Sequence, residues 1–552
     1  MRTPDVDGAG AASTPREPRL APSQDPAERI HDKRWWTLAV LCLSLVLTVA
    51  GNASLNVALP DIQARLGAEP SALQWIVDVY ALVFAGLLLP AGALADRFGR
   101  KTALQGGLVI FMLAALVVST LGSETWHLVA ARAVMGFGAA FIMPGTLSIL
   151  TNVFHDATER RRAIAIWAGF AGLGGALGTV VSGFLLEHYS WTSTFIVNVP
   201  IAGLALVAGL WLVPNSSDPH DAKMDPPGVV LAIAGLGSLL YAIIEAPHRG
   251  WLSPETLGVG GVAALVVAAF VWWELRTDHP MLDVRLFRDR TFAIGSSTIT
   301  LQFMAMFGLY FTLAQYLQLS RGYSALETAL IALPVGIFGM IGAPISARLV
   351  AVHGPRRVVG SGLIVSGSGL LLLALTASPT APLPVLILGF SLVGLGNGQT
   401  TAPSTTLIMN SVPRSRSGVG SAVNDLSREL GGALGIAVLG SVLASIYRHD
   451  VGTRLGDIST EAFVRAESSI TGAFEAAGLV REAGDPALAD RIADQARAAF
   501  STAFGRTMLM GACVMAINSA IVWRFQGRHR SATAPTQPLP MDPEAAGEAR
   551  DG

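Results

Sequence analysis

Between Arg357 and Arg414 the chain carries no Asp, Glu, Lys or Arg at all. A bilayer's hydrocarbon core is about 30 Å thick, so a helix rising 1.5 Å per residue crosses it in about 20 mostly apolar residues. The charge-free run is too long for one crossing, and Ala377 to Pro382 reads as a Pro/Ser/Thr turn that divides it into two helices. Similar runs recur along the whole chain. They give fourteen spans, near 35–60, 72–95, 102–123, 126–150, 163–186, 191–213, 226–245, 256–273, 291–319, 328–348, 358–376, 384–410, 418–447 and 505–524. Only 14% of residues are charged, against about 25% in soluble domains, and the mean hydropathy is +0.51. An all-α polytopic membrane protein is the fold class this implies, because a spanning helix satisfies its own backbone hydrogen bonds in lipid.

Several function classes drop out. The net charge of −1 and the lack of a basic stripe interleaved with aromatics exclude nucleic acid as a partner. Cys42 and Cys513 both fall inside spans, so no disulfide framework or zinc site is expected, and no metal or cofactor. A membrane enzyme would need a nucleophile, a metal set or a nucleotide loop, and neither GxxxxGK[ST] nor HExxH occurs. Residues 1–34 are rich in Pro, Ala and charge without an apolar run; they are expected to be a disordered cytoplasmic tail rather than a cleaved signal peptide, and 526–552 a second tail. Lys33, Lys101 and Lys223 are the only lysines among 38 basic residues, a bias that suggests a high-GC bacterial genome.

With the N-terminus inside, the cytoplasmic segments flanking the spans hold 21 Lys and Arg, from Lys33 to Arg530. The short loops on the other side hold only Arg65, Arg249 and Arg321. The positive-inside rule therefore places both termini in the cytoplasm. Segment 449–503, with nine acidic and five basic residues, then lies outside, and helical spacing around Phe463, Ile470 and Phe474 suggests a small cap, either a connector or a gate.

A worn repeat is legible. Gly92-Ala-Leu-Ala-Asp-Arg-Phe-Gly-Arg-Lys101, between spans two and three, aligns with Ala347-Arg-Leu-Val-Ala-Val-His-Gly-Pro-Arg356 between spans ten and eleven. This implies two six-helix halves, 35–213 and 291–525, with two inserted spans at 226–273. In the first copy Gly92 permits close packing and Gly99 a tight reversal. Asp96 can pair with Arg97, Arg100, Lys101 or a neighbouring helix N-terminus, so the loop can act as a latch between states.

The G-x-L-A-D-r-x-G-r-k pattern resembles the signature loop of the major facilitator superfamily, and Leu128-Val-Ala-Ala-Arg132-Ala-Val-Met-Gly136 resembles its span-four motif. Fourteen spans resemble its drug:proton antiporter branch of the EmrB/QacA type. So do Asn56-Val-Ala-Leu-Pro60, Gln74-Trp75, Ser190-Trp191 with Asn198-Val-Pro200, Gly250-Trp251, His279-Pro280, Tyr316-Leu-Gln318 and Arg428-Glu-Leu-Gly-Gly-Ala-Leu-Gly435. The resemblance runs from about 35 to 525 and implies proton-driven efflux of lipophilic compounds by alternating access. Two positions depart from it: Gly178-Thr179 stands where the branch shows Gly-Pro, and Gly51 where many members carry an Asp. Gly174, Gly178 and Gly183 still offer a close-packing face on span five.

A charge at mid-bilayer costs at least about 2.5–3.5 kcal/mol and is rarely kept without use. Asp78 lies in span two, one turn from Trp75, and in the family an acid in this QWIVDVY segment resembles exporters of quaternary ammonium and other organic cations. Asp425 and Glu429 are spaced i, i+4 on one side of span thirteen, with Arg428 a turn from Asp425. Burial and the second acid favour proton binding there, and Arg428 opposes it. Arg132 is a buried cation to which the resemblance gives a coupling role. Asn52, Asn56, Trp75, Trp167, Gln302, Phe303, Phe307 and Gln315 are candidates to line a central cavity. The expected partners are the lipid bilayer, protons and a small lipophilic, cationic substrate, with an endogenous antibiotic or metabolite, uncharged in some cases, as the alternative; a monomer is expected. A reporter fused after Gly552 is expected to read cytoplasmic, and an external signal would refute the topology.

Overall fold

The computed structural model describes residues 26–216, 225–278, 280, 282–412, 417–455 and 460–525. Among the described residues there are helices and no strands. α1 (Pro26–Leu66), α2 (Pro70–Phe98), α3 (Arg100–Leu121), α4 (Thr125–Val153), α5 (Ala157–His188), α6 (Ser193–Ile196) and α7 (Asn198–Leu212) share one apolar core. α8 (Pro226–Arg249) and α9 (Pro254–Arg276) follow as an antiparallel hairpin. α10 (Arg290–Gln315), α11 (Ala325–His353), α12 (Pro355–Thr376), α13 (Leu383–Asn410), α14 (Ser417–Arg454), α15 (Thr460–Ser468), α16 (Ile470–Glu482) and α17 (Pro486–Phe525) build a second core.

Among the described residues thirteen segments are long and apolar enough to cross a bilayer, with α6 and α7 acting together as one. α5, at 32 residues, packs along α1 as the fourteenth. Asn198 bridges the α6–α7 break by donating to Thr194 O and Phe195 O. α1 starts at Pro26, inside the segment read from sequence as a tail, and α17 starts at Pro486, well before the last expected span. The α1 extension is charged, and the α17 extension interleaves charged residues with Ala489, Ile492, Ala496 and Phe500 of the second core, so mean hydropathy registers neither. Residues 1–25 and 526–552 lie outside the described residues.

The described chain starts and ends on one face, the terminal face; α15 and α16 lie on the opposite one, the cap face. There Tyr447 donates to Ala466 O and packs edge-on to Phe500 at 5.8 Å, tying the cap to the second core. The two copies of the repeated loop share a backbone solution: Gly99 (φ 107°) ends α2 and starts α3, and Gly354 (φ 78°) does the same for α11 and α12. A side chain is strained in that region, which explains why glycine recurs in register. α8 packs against α2 of the first half and α14 of the second. On α9 only Ala263 and Glu274 are buried, so this helix presents its flank to lipid.

The halves touch near the cap face. Gln318 Nε2 donates to Val57 O at 2.9 Å, Ser324 Oγ to Glu187 Oε1 at 2.6 Å, and Ser441 Oγ reaches Gln74 Oε1 at 3.4 Å. The span-five glycines serve two different contacts. A Cβ at Gly178 would lie 2.6 Å from Ala50 Cα, inside the first half, whereas one at Gly183 would lie 2.8 Å from Leu326 Cα, across the halves. Gly178→Leu is therefore expected to lower the melting temperature, overpacking costing about 1–3 kcal/mol. Gly183→Leu should leave the halves folded but wedge the cap face open, read as a longer spin-label distance between positions 187 and 324. An unchanged distance would refute the closure role of Gly183.

Candidate functional site

The site grows around Arg132 on α4. Its side chain is fully buried. Gly136, one turn further on, leaves room for the α2 backbone: a Cβ there would lie 2.6 Å from Tyr80 O. That close approach lets Arg132 Nε donate to Ile76 O at 3.1 Å and puts the guanidinium 4.1 Å from the Tyr80 ring centroid. From α1, Asn52 Oδ1 accepts from Arg132 Nη2 at 2.7 Å. Nη1 is buried without a hydrogen-bond partner. The charge of Glu429, on α14 of the other half, acts on both Arg132 and Tyr80.

Helical spacing puts Glu429 on the stripe of α14 that holds Ala433, Ile436 and Gly440. Ile436 packs into the first half's core, and Ala433 packs with Ala81 and Leu82 of α2. Asp78 belongs to the matching stripe of α2, between Gln74 and Ala81 or Leu82, and so faces α14 and α8. It is fully buried, and among the described residues neither carboxyl oxygen has a hydrogen-bond partner. Arg132, Tyr80 and Glu429 thus meet where the halves adjoin, while Asp78 stands on a different face of α2, toward α8 and α14.

Asp425 accepts from Asn424 Nδ2 at 3.2 Å. Among the described residues it forms no ion pair with Arg428. Arg428 instead lies 5.5 Å from the Phe303 ring centroid and donates to Thr405 Oγ1 at 3.4 Å. Phe303 and Phe307 stack at 6.0 Å, and Phe307 also packs on the first half's core, placing it at the seam.

The other cavity candidates make varied contacts, some within one half and some between the halves. Gln302 turns into the second half and donates to Ser366 Oγ on α12, because that helix offers the only polar group its amide is seen to reach among the described residues. Trp167 donates to Thr146 Oγ1 within the first half. Trp75 faces α8, 6.3 Å from Tyr241, and packs with Leu236 and Ile243. Gln315 donates to Phe311 O and, with Gln63 and Gln74, lines a small crevice between the halves near the cap face. Asn56 is buried with Oδ1 unpartnered. Gly51 abuts Asn198 and Phe111, where a Cβ would lie 3.3 Å from both, so this position points into the first half rather than to the seam.

In the α2–α3 loop, Gly92 packs toward Pro144 and Gly99 toward Asn215. Arg100 N donates to Ser216 O and Lys101 Nζ to Leu210 O, which fastens the loop to the end of α7. Arg97 is exposed beside Phe98. The Asp96 side chain lies outside the described residues. Tyr80 was not singled out from sequence; nothing in its spacing from Arg132 announces the ring contact.

A sequence profile of the Major Facilitator Superfamily matches residues 41–436. The Mycolicibacterium smegmatis multidrug efflux pump LfrA is 35% identical over 90% of this chain and 96% of its own length. The Salmonella typhimurium methyl viologen resistance protein SmvA is 31% identical over 85% and 93%. The tetracenomycin C resistance and export protein of Streptomyces glaucescens is 29% identical over 82% of each. Among solved structures, a bacterial homologue of the human lysosomal transporter Spinster superposes with a TM-score of 0.61 at 18% identity, covering 89% of this chain and 98% of its own. With two six-helix cores, an inserted hairpin and relatives of this extent, the chain is a multi-pass bacterial membrane protein of the Major Facilitator Superfamily.

Proposed function

We propose that this transporter exports lipophilic, cationic compounds from the cytoplasm in exchange for protons, as a monomer with both termini inside. Asp78 carries this reading: a fully buried carboxyl without a hydrogen-bond partner stands on the seam that must part during alternating access. A permeating organic cation supplies the partner Asp78 lacks. Relatives named for multidrug efflux and methyl viologen resistance support drug export.

Glu429 is the proton carrier in this scheme. Ionised, it balances Arg132 across the seam and holds the halves together; protonated, it releases that attraction and lets them rock. Asp425, one turn away on α14, completes the acid pair, and Arg428 is kept off it by Phe303 and Thr405. The functional units are the halves 35–213 and 291–525, the inserted spans 226–273 and the external segment 449–503. A second reading, export of an endogenous antibiotic that need not be charged, is favoured by the likeness to the tetracenomycin C exporter.

Liposomes with an imposed proton gradient test the scheme. Glu429→Gln is expected to abolish uphill efflux of a cationic dye while leaving exchange, and Asp78→Asn to weaken cationic substrates more than neutral ones. Wild-type rates from Asp78→Asn, Asp425→Asn and Glu429→Gln together would overturn it.

Arg132→Lys keeps the charge but loses the planar fork that serves Asn52 and Ile76 at once. Efflux is expected to fall about tenfold or more, which corresponds to about 1.4 kcal/mol. Unchanged efflux at equal membrane abundance would show that charge alone suffices.

A further inference from the structure

Away from the seam, the chain buries a second pair of acids at the terminal-face root of the inserted hairpin. Asp225 caps α8: its Oδ1 accepts from Gly228 N at 3.0 Å and from Trp273 Nε1 of α9 at 2.8 Å. Glu274, the next residue on α9, is fully buried, and its Oε2 accepts from Leu282 N at 2.9 Å in the link to α10. The remaining oxygens, Asp225 Oδ2 and Glu274 Oε1, are buried and receive no N–H or O–H donor among the described residues. They converge over one glycine. A Cβ on Gly228 would fall within 2.6 Å of Glu274 Oε1 and closer still to Asp225 Oδ2.

Two unprotonated carboxylates cannot be held this way at little cost, since like charges in a buried site repel strongly. Among the described residues neither Asp225 nor Glu274 forms an ion pair with a Lys, Arg or His. Asp283, in the link, adds a third negative charge acting on Glu274 and accepts from Arg285 N. The Arg285 guanidinium donates to Leu275 O, Arg276 lies 4.3 Å from the Trp272 ring centroid, and Asp289 caps α10 through Phe292 N. Arg288 and Arg290 are exposed. Glu245, Arg249 and Glu255 sit at the other end of the hairpin. Among the described residues no set of three His, Cys, Asp or Glu gathers here to hold a metal.

We infer that Asp225 and Glu274 form a proton-binding pair in which Glu274 Oε1–H donates to Asp225 Oδ2. Asp225 is the acceptor because two N–H groups already stabilise its carboxylate, where Glu274 receives one. The proton joins three elements at one point: the start of α8, the end of α9 and the link into the second half. Since α8 packs on both α2 and α14, the pair anchors the hairpin against the seam. Taking the proton away sets the two carboxylates against each other and loosens that anchor. The inference does not depend on the substrate or on the seam acids.

The test uses the purified full-length transporter in detergent. Glu274→Gln keeps an N–H donor toward Asp225 Oδ2 without a removable proton, and Asp225→Asn keeps the cap while offering its amide to Glu274. The wild type is expected to melt at progressively lower temperature as buffer pH is raised from mildly acidic to alkaline, and both variants to lose most of that dependence. Infrared spectra of wild type minus Glu274→Gln should show the C=O stretch of one protonated carboxyl. Identical pH profiles together with no such band would overturn the pair. So would stabilisation of the wild type but not the variants by sodium, potassium, magnesium or calcium chloride, which would make it a metal-cation site.

Discussion

Arg132 is a guanidinium sealed inside apolar helices, and the architecture around it follows from the need to answer its charge. Water cannot do so at this depth, so two other helices of the first half must bring polar or π surface to one point. α1 supplies the Asn52 amide oxygen, and α2 supplies the Ile76 carbonyl and the Tyr80 ring. The α2 carbonyl is reachable only because Gly136 lets the two backbones approach. These contacts are neutral, so they hold the cation without cancelling it. The net positive charge is left for an acid on the other half, which makes the seam electrostatically sensitive to the protonation of Glu429.

Much of this was legible in the sequence because bilayer constraints act locally. The length of an apolar run and the glycine shared by Gly99 and Gly354 each report on a few neighbouring residues, and the spans stand where the runs are. The same locality explains what was missed. Helices that continue past the apolar zone, such as the start of α1 and of α17, carry no hydropathy mark. Gln302 and Phe303 are adjacent in sequence, yet one turns into the second half and the other lies under α14, a difference set by rotation about α10 that spacing alone does not reveal. Gly51 read as a missing acid. Its contacts with Asn198 and Phe111 show a packing position instead, one where a carboxylate would have to displace neighbours of its own half.

Asp225 and Glu274 illustrate a stronger limit. Each is an acid at the end of a span, where charged residues normally mark the edge of the bilayer and attract no attention. Their pairing depends on the hairpin geometry that sets the start of α8 beside the end of α9, and only that geometry turns two boundary markers into one buried cluster. Acids inside a span announce themselves by cost; acids at span ends do so only when their surroundings are seen.

The placement of contacts between the halves also constrains the transport cycle. Gln318 with Val57, Ser324 with Glu187, Ser441 with Gln74 and the Gly183 approach to α11 all lie toward the cap face. Each hydrogen bond there is worth only about 0.5–1.5 kcal/mol net, and the closed cap face adds to them the tight crossings at Gly183 and Gly440 and the apolar packing of Phe311 and Ile436 on the first half. Rocking the halves about the seam breaks these together while the Arg132 cluster, built almost entirely within the first half, moves as a unit. What changes on rocking is the distance from Arg132 to Glu429 and from Asp78 to α14. In the proposed scheme these charged groups are the ones whose surroundings the motion alters, which is the arrangement coupling requires: each conformation would set a different cost for an empty, protonated or cation-occupied seam.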